Sequence, residues 1–286
     1  MSRPTITEAI RAAAARLTAA GIDGARLDAE VLAAHALGCD RLTLGERGHE
    51  PLAASAAAAL DALVARRTAR EPVAYLVGKR EFWSLDFAVS PAVLIPRPDS
   101  ETLVAAVVER ARPETRAWRI LDLGTGSGCL LGALLSELVN AQGVGIDIAP
   151  EAARLAARNM AALGLDRRAD IRVGDWLAPL GYRERFDIVI ANPPYIASAA
   201  IAGLAPDVVR HEPLMALDGG ADGLDFYRRL AAEAPSHLSP GALIAVEVGA
   251  AQGPAVAALL AARFKDVSVL PDLAGRDRVV VARPGS

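Results

Sequence analysis

Through roughly the first eighty residues, apolar positions recur every three to four places, which is a helical period, in an alanine-rich background. Thr5 is placed to cap a first helix running through Ala20; Glu8 completes a capping-box pattern and Gly21 ends the helix. A second helix is expected from about Ala25 to Leu37, stopping near Gly38. A third is expected to begin near Pro51 and continue through Ala69, with Leu60, Leu63 and Val64 at helical spacing. Pro72 interrupts, and Val73 to Val77 predicts a last short helix before Gly78. Residues 1–78 therefore read as a compact helical bundle with no obvious catalytic group.

Over residues 79–98 the pattern changes to alternation: Phe82, Leu85, Phe87 and Val89, then Val93, Leu94 and Ile95. With Ser90-Pro91 supplying a turn, this predicts a β-hairpin that links two domains. The remainder, residues 99–286, alternates strand-like and helix-like runs. Strands are expected at Ile120–Leu123, Gly143–Ile146, Ile171–Val173, Ile188–Ile190, Ala242–Val248, Val267–Leu270 and Arg278–Val281. Helical stretches between the first five imply right-handed β-α-β units and a parallel sheet. The link Pro271 to Asp277 is too short for a crossover helix, so the last strand must pair antiparallel with its neighbour. The predicted class is α/β: a seven-stranded, mostly parallel sheet with an antiparallel last strand, plus the helical bundle and the hairpin.

Composition narrows this picture modestly. Hydrophobic residues make up 52% of the 286 residues but aromatics only 4%, so the core is built mainly from Ala, Leu, Val and Ile. A net charge of −3 argues against a general electrostatic hold on nucleic acid, though not against a local basic patch. Cys39 and Cys129 are far apart and read as reduced, buried thiols. His35, His49, His211 and His237 show no ligand spacing, so no metal site is expected. Neither a signal-peptide apolar core nor a long uncharged apolar span occurs, and the expectation is a soluble, cytoplasmic protein.

Candidate chemistry gathers at the ends of four successive predicted strands. The first is followed by Asp122-Leu123-Gly124-Thr125-Gly126-Ser127-Gly128 and then an apolar helix; glycine at alternate positions lets a ligand approach the backbone and the helix N-terminus beyond it. The spacing G-x-G-x-G is not the dinucleotide fingerprint, which disfavours a nicotinamide dehydrogenase. Asp147 ends the second strand, about twenty residues beyond the turn, where an acidic residue can accept both ribose hydroxyls of a nucleoside. As a bland alternative, Asp147 caps the helix that starts near Pro150. Asp175-Trp176 follows the third strand, where an aromatic ring can flank an adenine or equally serve the core. Asn192-Pro193-Pro194-Tyr195 follows the fourth strand. Asn192 offers a side-chain carbonyl; the prolines lack N–H groups and fix φ, which holds the Pro193 carbonyl as a second acceptor; Tyr195 adds a flat face. Two acceptors and a ring can grip both hydrogens of a planar amino group and leave its nitrogen lone pair free. Glu247, at the end of a later strand, and His211-Glu212-Pro213 are further residues that a cleft at this edge can reach.

These motifs resemble those of class I S-adenosylmethionine-dependent methyltransferases that act on amino groups. More narrowly, the chain is similar to the release-factor glutamine methyltransferases (the PrmC/HemK family). That likeness rests on Glu71-Pro72 with Tyr75, Gly78 and Phe82, on Leu94-Ile95-Pro96-Arg97-Pro98-Asp99-Ser100-Glu101, and on Glu212-Pro213 through Leu217-Asp218-Gly219-Gly220. Asp222-Gly223-Leu224-Asp225-Phe226-Tyr227 and Leu273 to Arg278 belong to the same set; Ser100 stands where the family more often has threonine. The resemblance implies a Rossmann-like methyltransferase domain with a helical substrate-docking domain. It implies S-adenosyl-L-methionine as cofactor (product S-adenosyl-L-homocysteine), held by Gly124, Thr125, Gly126, Ser127, Gly128, Asp147, Asp175, Trp176 and Asn192. The implied substrate is the glutamine of a Gly-Gly-Gln loop in class 1 peptide-chain release factors, gripped by Asn192, Pro193, Pro194 and Tyr195, with Asn192, Pro193 and Tyr195 catalytic. A monomer without direct nucleic-acid or membrane contacts is expected. Adenine N6 or cytosine N4 would satisfy the same grip, so a base methyltransferase that flips its target is the alternative. A non-catalytic adaptor that keeps the fold is a third, opposed by the intact Gly-rich loop, Asp147 and Asn192.

Overall fold

The fold is that of a computed structural model describing residues 3–284. It divides into two compact units, residues 1–79 with 205–211, and residues 80–204 with 212–286. The first is all helical: α1 (Ile6–Ala19), α2 (Ala25–Leu37), α3 (Arg41–Glu46), α4 (Ala54–Thr68) and α5 (Val73–Val77). At the start of α1, Thr5 Oγ1 accepts from the Glu8 amide (3.3 Å) and the Thr5 amide donates to Glu8 Oε2 (2.8 Å), a complete capping box. Gly38 ends α2 and Gly78 ends α5, both left-handed, where a Cβ would be strained. Leu17, Ala29, Leu32, Leu60 and Val64 fill the centre of the bundle.

Two features of this unit differ from expectation. The third long helix starts at Ala54, not near Pro51, because Pro51 and Leu52 lie extended beside the N-terminal segment; the Leu52 amide donates to the Pro4 carbonyl at 2.8 Å. The short helix α3 was not expected, yet Asp40 caps it by accepting from the Thr43 amide at 2.7 Å.

The second unit opens with a hairpin, β1 (Lys79–Phe82) and β2 (Leu85–Ala88). Its turn lies at Trp83-Ser84, not at Ser90-Pro91, and both turn residues have positive φ (53° and 57°), as tight two-residue hairpins require. Neither is a usual residue there. Side-chain anchors hold the turn instead: the Trp83 amide donates to Glu101 Oε1 (2.9 Å) and its indole N–H to Glu137 Oε1 (2.7 Å).

There follow α6 (Glu101–Arg110), β3 (Arg119–Leu123), α7 (Cys129–Glu137), β4 (Gln142–Asp147), α8 (Pro150–Ala162), β5 (Ala169–Val173) and β6 (Phe186–Ala191). Next come α9 (Pro206–His211), which belongs to the helical unit, then α10 (Asp225–Glu233), β7 (Leu238–Glu247), α11 (Gly253–Ala261), β8 (Phe264–Pro271) and β9 (Asp277–Pro284). Within the helical unit, Asp207 of α9 and Asp28 of α2 both accept from the buried Arg67 guanidinium (2.7 and 2.8 Å). The expected helix between the third and fourth sheet strands is absent among the described residues; 174–185 forms turns through Pro179 and Gly181.

The seven-stranded sheet has the order β5-β4-β3-β6-β7-β9-β8; only β9 runs antiparallel to its neighbours, β7 and β8. Both faces are buried, so side chains alternate between two apolar layers. Ile120, Ile188, Ile190, Leu243 and Ala245 pack on one side with Leu103, Leu131 and Leu134 of α6 and α7. Leu121, Leu123, Val189, Ile244 and Val246 pack on the other with Tyr227, Leu230, Val256 and Leu260 of α10 and α11. The chain leaves β3 to one side and returns on the other at β6, a topological switch point whose carboxyl edge is where open α/β sheets bind ligands.

Candidate active site

Strand register assembles the site. The pairs Leu123↔Ile146, Leu123↔Ala191, Asp147↔Val173 and Ala191↔Val246 bring Gly124, Asp147, Gly174, Asn192 and Glu247 to one edge. Above that edge lies a cavity of about 630 Å³, lined by Gly124, Thr125, Gly126, Ser127, Asp147, Asp175, Trp176, Asn192 and Pro194 among the expected residues. Gly128, Pro193 and Tyr195 do not line it. A Cβ on Gly128 would sit 3.0 Å from Met160 Cε, so this glycine allows α7 to pack on α8 rather than a ligand to approach.

The Gly-rich turn is held from beneath. The amides of Gly124 and Thr125 donate to the Ile146 carbonyl (2.9 and 3.0 Å), and Thr125 Oγ1 donates to Asp122 Oδ2 at 2.6 Å. Asp122 is buried, its Oδ1 has no partner, and burial pushes its carboxyl up to about 7 against the Thr125 bond. A side chain on Gly124 would meet no protein atom within 4 Å, so the space above the loop stays open to a ligand. Asn159 of α8 fixes the loop from the side: Nδ2 donates to the Ser127 and Ala88 carbonyls (2.8 and 3.0 Å) and Oδ1 accepts from the Ala88 amide (2.9 Å). Nothing in a motif marks Asn159; its one sequence signal is a polar residue on the buried stripe with Ala152, Ala156 and Met160.

Asp147 does not cap α8, whose N-cap is Ala149; its carboxylate instead takes two backbone amides. Oδ2 accepts from the Gly126 amide and Oδ1 from the Ala149 amide ahead of α8, each at 2.9 Å. Burial raises its pKa while these two bonds oppose the shift. A carboxylate offers about four acceptor sites, so it can still take two ribose hydroxyls.

Trp176 is buried, with positive φ (58°), and packs edge-on against Phe226 of α10 at 4.5 Å while lining the cavity floor. It serves core and cavity at once, and Phe226 beside it is a lining residue to which no role had been assigned. Asp175 is exposed and bidentate to Arg229 (2.8 and 3.2 Å), which holds its carboxyl below the usual range.

Asn192 is the focus of the far end. Its Nδ2 donates to Ser100 Oγ at 3.1 Å, whereas Oδ1 is buried without a partner. The following turn is clamped by residues 217–223. The Ile196 amide donates to the Leu217 carbonyl (3.1 Å) and the Gly219 amide to the Ile196 carbonyl (2.8 Å). A Cβ on Gly219 would lie 2.7 Å from the Pro194 carbonyl oxygen, so only glycine permits this approach. Tyr195 is tucked against the core, its carbonyl accepting from Gln252 Nε2 (2.9 Å), and burial raises its phenol pKa. Arg97 reaches the cavity and pairs with the buried Glu212 carboxylate, while Asp99 pairs with Arg278 at 3.1 Å. Glu247 is buried and burial pushes it up to about 7. Burial likewise pushes the Cys129 thiol up to about 12, keeping it protonated. No group of three potential metal ligands occurs among the described residues, and no helix there is long and apolar enough to cross a membrane.

Asp122 gives a pH prediction. Its folded pKa, about 7, exceeds the 3.8 of an ordinary aspartate, so its contribution to stability is present below pH 4 and is lost as pH rises towards 7. Asp122→Asn keeps the acceptor for Thr125 without the titration. Denaturant unfolding from pH 4 to pH 7 should show the parent losing stability relative to this variant, by at most about 4 kcal/mol. A pH-independent difference would place the titration elsewhere.

An S-adenosyl nucleoside fits this set of residues: an open Gly-rich cradle, a carboxylate beside it and an aromatic floor. Comparison with known proteins agrees. A family model described as the PrmC N-terminal domain matches residues 8–78, and one described as a methyltransferase domain matches residues 114–246. The release factor glutamine methyltransferase of Cereibacter sphaeroides is 48% identical over 277 residues, 96% of this chain and 97% of that one. The protein of the same name from Rhodospirillum rubrum is 48% identical over 94% of this chain and 82% of that one. Among solved structures, a T. thermophilus 16S rRNA methyltransferase in complex with AdoMet and guanosine is 22% identical, with a TM-score of 0.53 over 72% of this chain and 50% of that one; this likeness concerns the fold. With close to half its residues shared along nearly its whole length, the chain belongs to the release factor glutamine methyltransferase family.

Proposed function

We propose that the chain uses S-adenosylmethionine to methylate the side-chain amide nitrogen (N5) of a glutamine in peptide-chain release factors. The target is the Gly-Gly-Gln loop of class 1 factors. The observation that carries this reading is the partnerless Oδ1 of Asn192, buried at the cavity that the Gly-rich loop and Asp147 also line.

Bound S-adenosylmethionine supplies a sulfonium-activated methyl carbon, so the chemistry needs neither a metal nor a strong base. The chain's own task is to improve a poor nucleophile, because an amide lone pair is conjugated with its carbonyl. Asn192 Oδ1 accepts one N–H group, and the Pro193 carbonyl, carried between the lining residues Asn192 and Pro194 though Pro193 itself does not line the cavity, accepts the other; both raise electron density on nitrogen and hold it for in-line attack. As the N–C bond forms, the S–C electron pair stays on sulfur, and the nitrogen then releases one proton to water. Tyr195 backs the turn from the core side, Asp147 takes the ribose hydroxyls, and Trp176 with Phe226 forms the floor for the base. The helical unit, which lines no part of the cavity, is assigned to docking of the release factor. The enzyme acts as a cytoplasmic monomer without direct nucleic-acid contact.

The test supplies labelled S-adenosylmethionine with a purified release factor, its loop Gln→Ala variant, DNA and tRNA. Label is expected on the parent factor alone. Label on nucleic acid, or equally on the variant, would sink the assignment.

A further inference from the structure

Arg97 is a cation on a buried post. Glu212 is 6% exposed, and its carboxylate accepts from the Ile95 amide (3.3 Å) and from Arg97 Nη2. A buried carboxylate is costly unless paired, so this contact fixes where the guanidinium sits. Arg97 lines the cavity with 37% of its side chain exposed. A guanidinium has five N–H donors. Among the described residues only Nη2 of Arg97 has a hydrogen-bond partner, which leaves Nε and Nη1 for a ligand.

Backbone and side-chain bonds tie Arg97 to the Asn192 end of the cavity. The Ser100 amide donates to the Arg97 carbonyl, and Asn192 Nδ2 donates to Ser100 Oγ, each at 3.1 Å. Donors are scarce there. Leu94, Pro96, Pro194, Pro213, Met215 and Ala216 line the cavity on the segments that carry Arg97, Asn192 and Glu212; none has a side-chain donor, and the three prolines have no amide N–H either. The other lining arginine, Arg229, is already bonded to Asp175 (2.8 and 3.2 Å) and Glu233 (3.2 Å).

A peptide loop that sets its glutamine against Asn192 loses water from its main-chain carbonyls, and a buried carbonyl without a donor is costly. Glycines beside the glutamine leave those carbonyls uncovered by side chains. Arg97 is the donor placed to meet one. The glutamine's own amide oxygen is the poorer target, because a cation there draws electron density from the nitrogen and opposes the grip. Leu214 and Met215, each 60% exposed, follow Pro213 and give the flanking chain an apolar lip.

We propose that Arg97, braced by Glu212, is a substrate-binding residue that donates to a main-chain carbonyl of the glycine-flanked loop carrying the reacting glutamine. The inference rests on the substrate assigned above. The cofactor's carboxylate is the other oxygen acceptor a guanidinium here can take, and cofactor affinity tells the two apart.

The test uses Arg97→Met and the double variant Arg97→Met with Glu212→Gln, which leaves no buried carboxylate without its counter-charge. Both should raise KM for a purified release factor by about 10–100-fold, the loss expected for one hydrogen bond from a charged donor. At saturating factor kcat should stay within about threefold of the parent, as should the Kd for S-adenosylmethionine. A parent-like KM in either variant overturns the proposal. So does a cofactor Kd that weakens as far as KM, which gives Arg97 to the cofactor's carboxylate. A rise in kcat would place the guanidinium on the glutamine's amide oxygen and overturn it too. A second readout needs no turnover: calorimetric binding of the factor to enzyme loaded with S-adenosylhomocysteine. Arg97→Met should weaken binding of the intact factor but not of a factor whose Gly-Gly-Gln loop is deleted; equal weakening of both would mean a damaged docking surface and no contact with the loop. Should the parent methylate no glutamine, the functional reading fails, and this binding cycle still decides the contact.

Discussion

Asn192→Ala is expected to reduce kcat by about 10²–10³-fold, comparable to removing one preorganised hydrogen-bonding group from an oxyanion hole. Cofactor affinity should change little. The reason for the split lies in how the cavity is built. The elements suited to the cofactor (the Gly-rich turn held by Ile146, Asp122 and Asn159, and Asp147 beside it) are anchored on β3, β4 and α8. None of those anchors runs through Asn192, whose side chain is hydrogen-bonded to Ser100. Truncation removes that one bond, worth about 1 kcal/mol of stability. It also removes the acceptor that makes an amide nitrogen nucleophilic, and this loss is felt only as the new bond forms. The measurement is single-turnover methylation at saturating cofactor, with calorimetric titration of the cofactor alongside. A kcat within about threefold of the parent would remove the amide grip from the mechanism, because an interaction made mainly in the transition state must appear in kcat.

How far the site could be read in advance follows from which interactions are local. The sheet was legible because runs such as Ile188-Val189-Ile190 and Ile244-Ala245-Val246 are apolar on both faces, and the short link before Arg278 left only an antiparallel return. Helices α2 and α5 were legible from the glycines that stop them. The hairpin turn was not, because Trp83 and Ser84 hold positive φ through side-chain anchors on Glu101 and Glu137, which lie 18 and 54 residues away. Residues 174–185 read as helical only by analogy with the neighbouring crossovers; Pro179 and Gly181 were the local signs against it. The motif residues of the cavity announced themselves through backbone needs: glycine where a ligand or a carbonyl approaches, proline where no N–H is wanted. What stayed hidden was polarity set across the fold. Asn159 clamps Ser127 to Ala88, and Asn192 donates to Ser100; no periodicity or spacing encodes a hydrogen bond between residues that far apart. Residues 205–211 pose the same difficulty, since the pairing of Asp207 with Arg67 and Arg70, distant in sequence, is what shows which unit they join.

Asp147→Ala is expected to weaken cofactor binding by about 10²–10³-fold while leaving kcat at saturating cofactor within a few-fold of the parent, because hydrogen bonds to a charged group contribute about 1.5–3 kcal/mol each and two ribose hydroxyls are lost together. A structural explanation competes with this one, since the carboxylate also holds the Gly126 and Ala149 amides at 2.9 Å. Removing it loosens the loop, and loosening alone would weaken any ligand. A cofactor analogue lacking the ribose 2′-hydroxyl separates the two. If Asp147 accepts that hydroxyl, the parent should bind the analogue about tenfold or more less tightly than the full cofactor, and Asp147→Ala should bind the two almost equally. If the carboxylate matters only as a brace for the loop, the analogue loses the same factor in both proteins and the ribose role is wrong. The coupling between one protein group and one ligand group cancels whatever loosening the substitution causes, so it reads the contact itself. The same logic predicts that Asp147→Asn fails to rescue: the amide keeps one acceptor, but its NH2 must then face the Gly126 or Ala149 amide, a donor set against a donor.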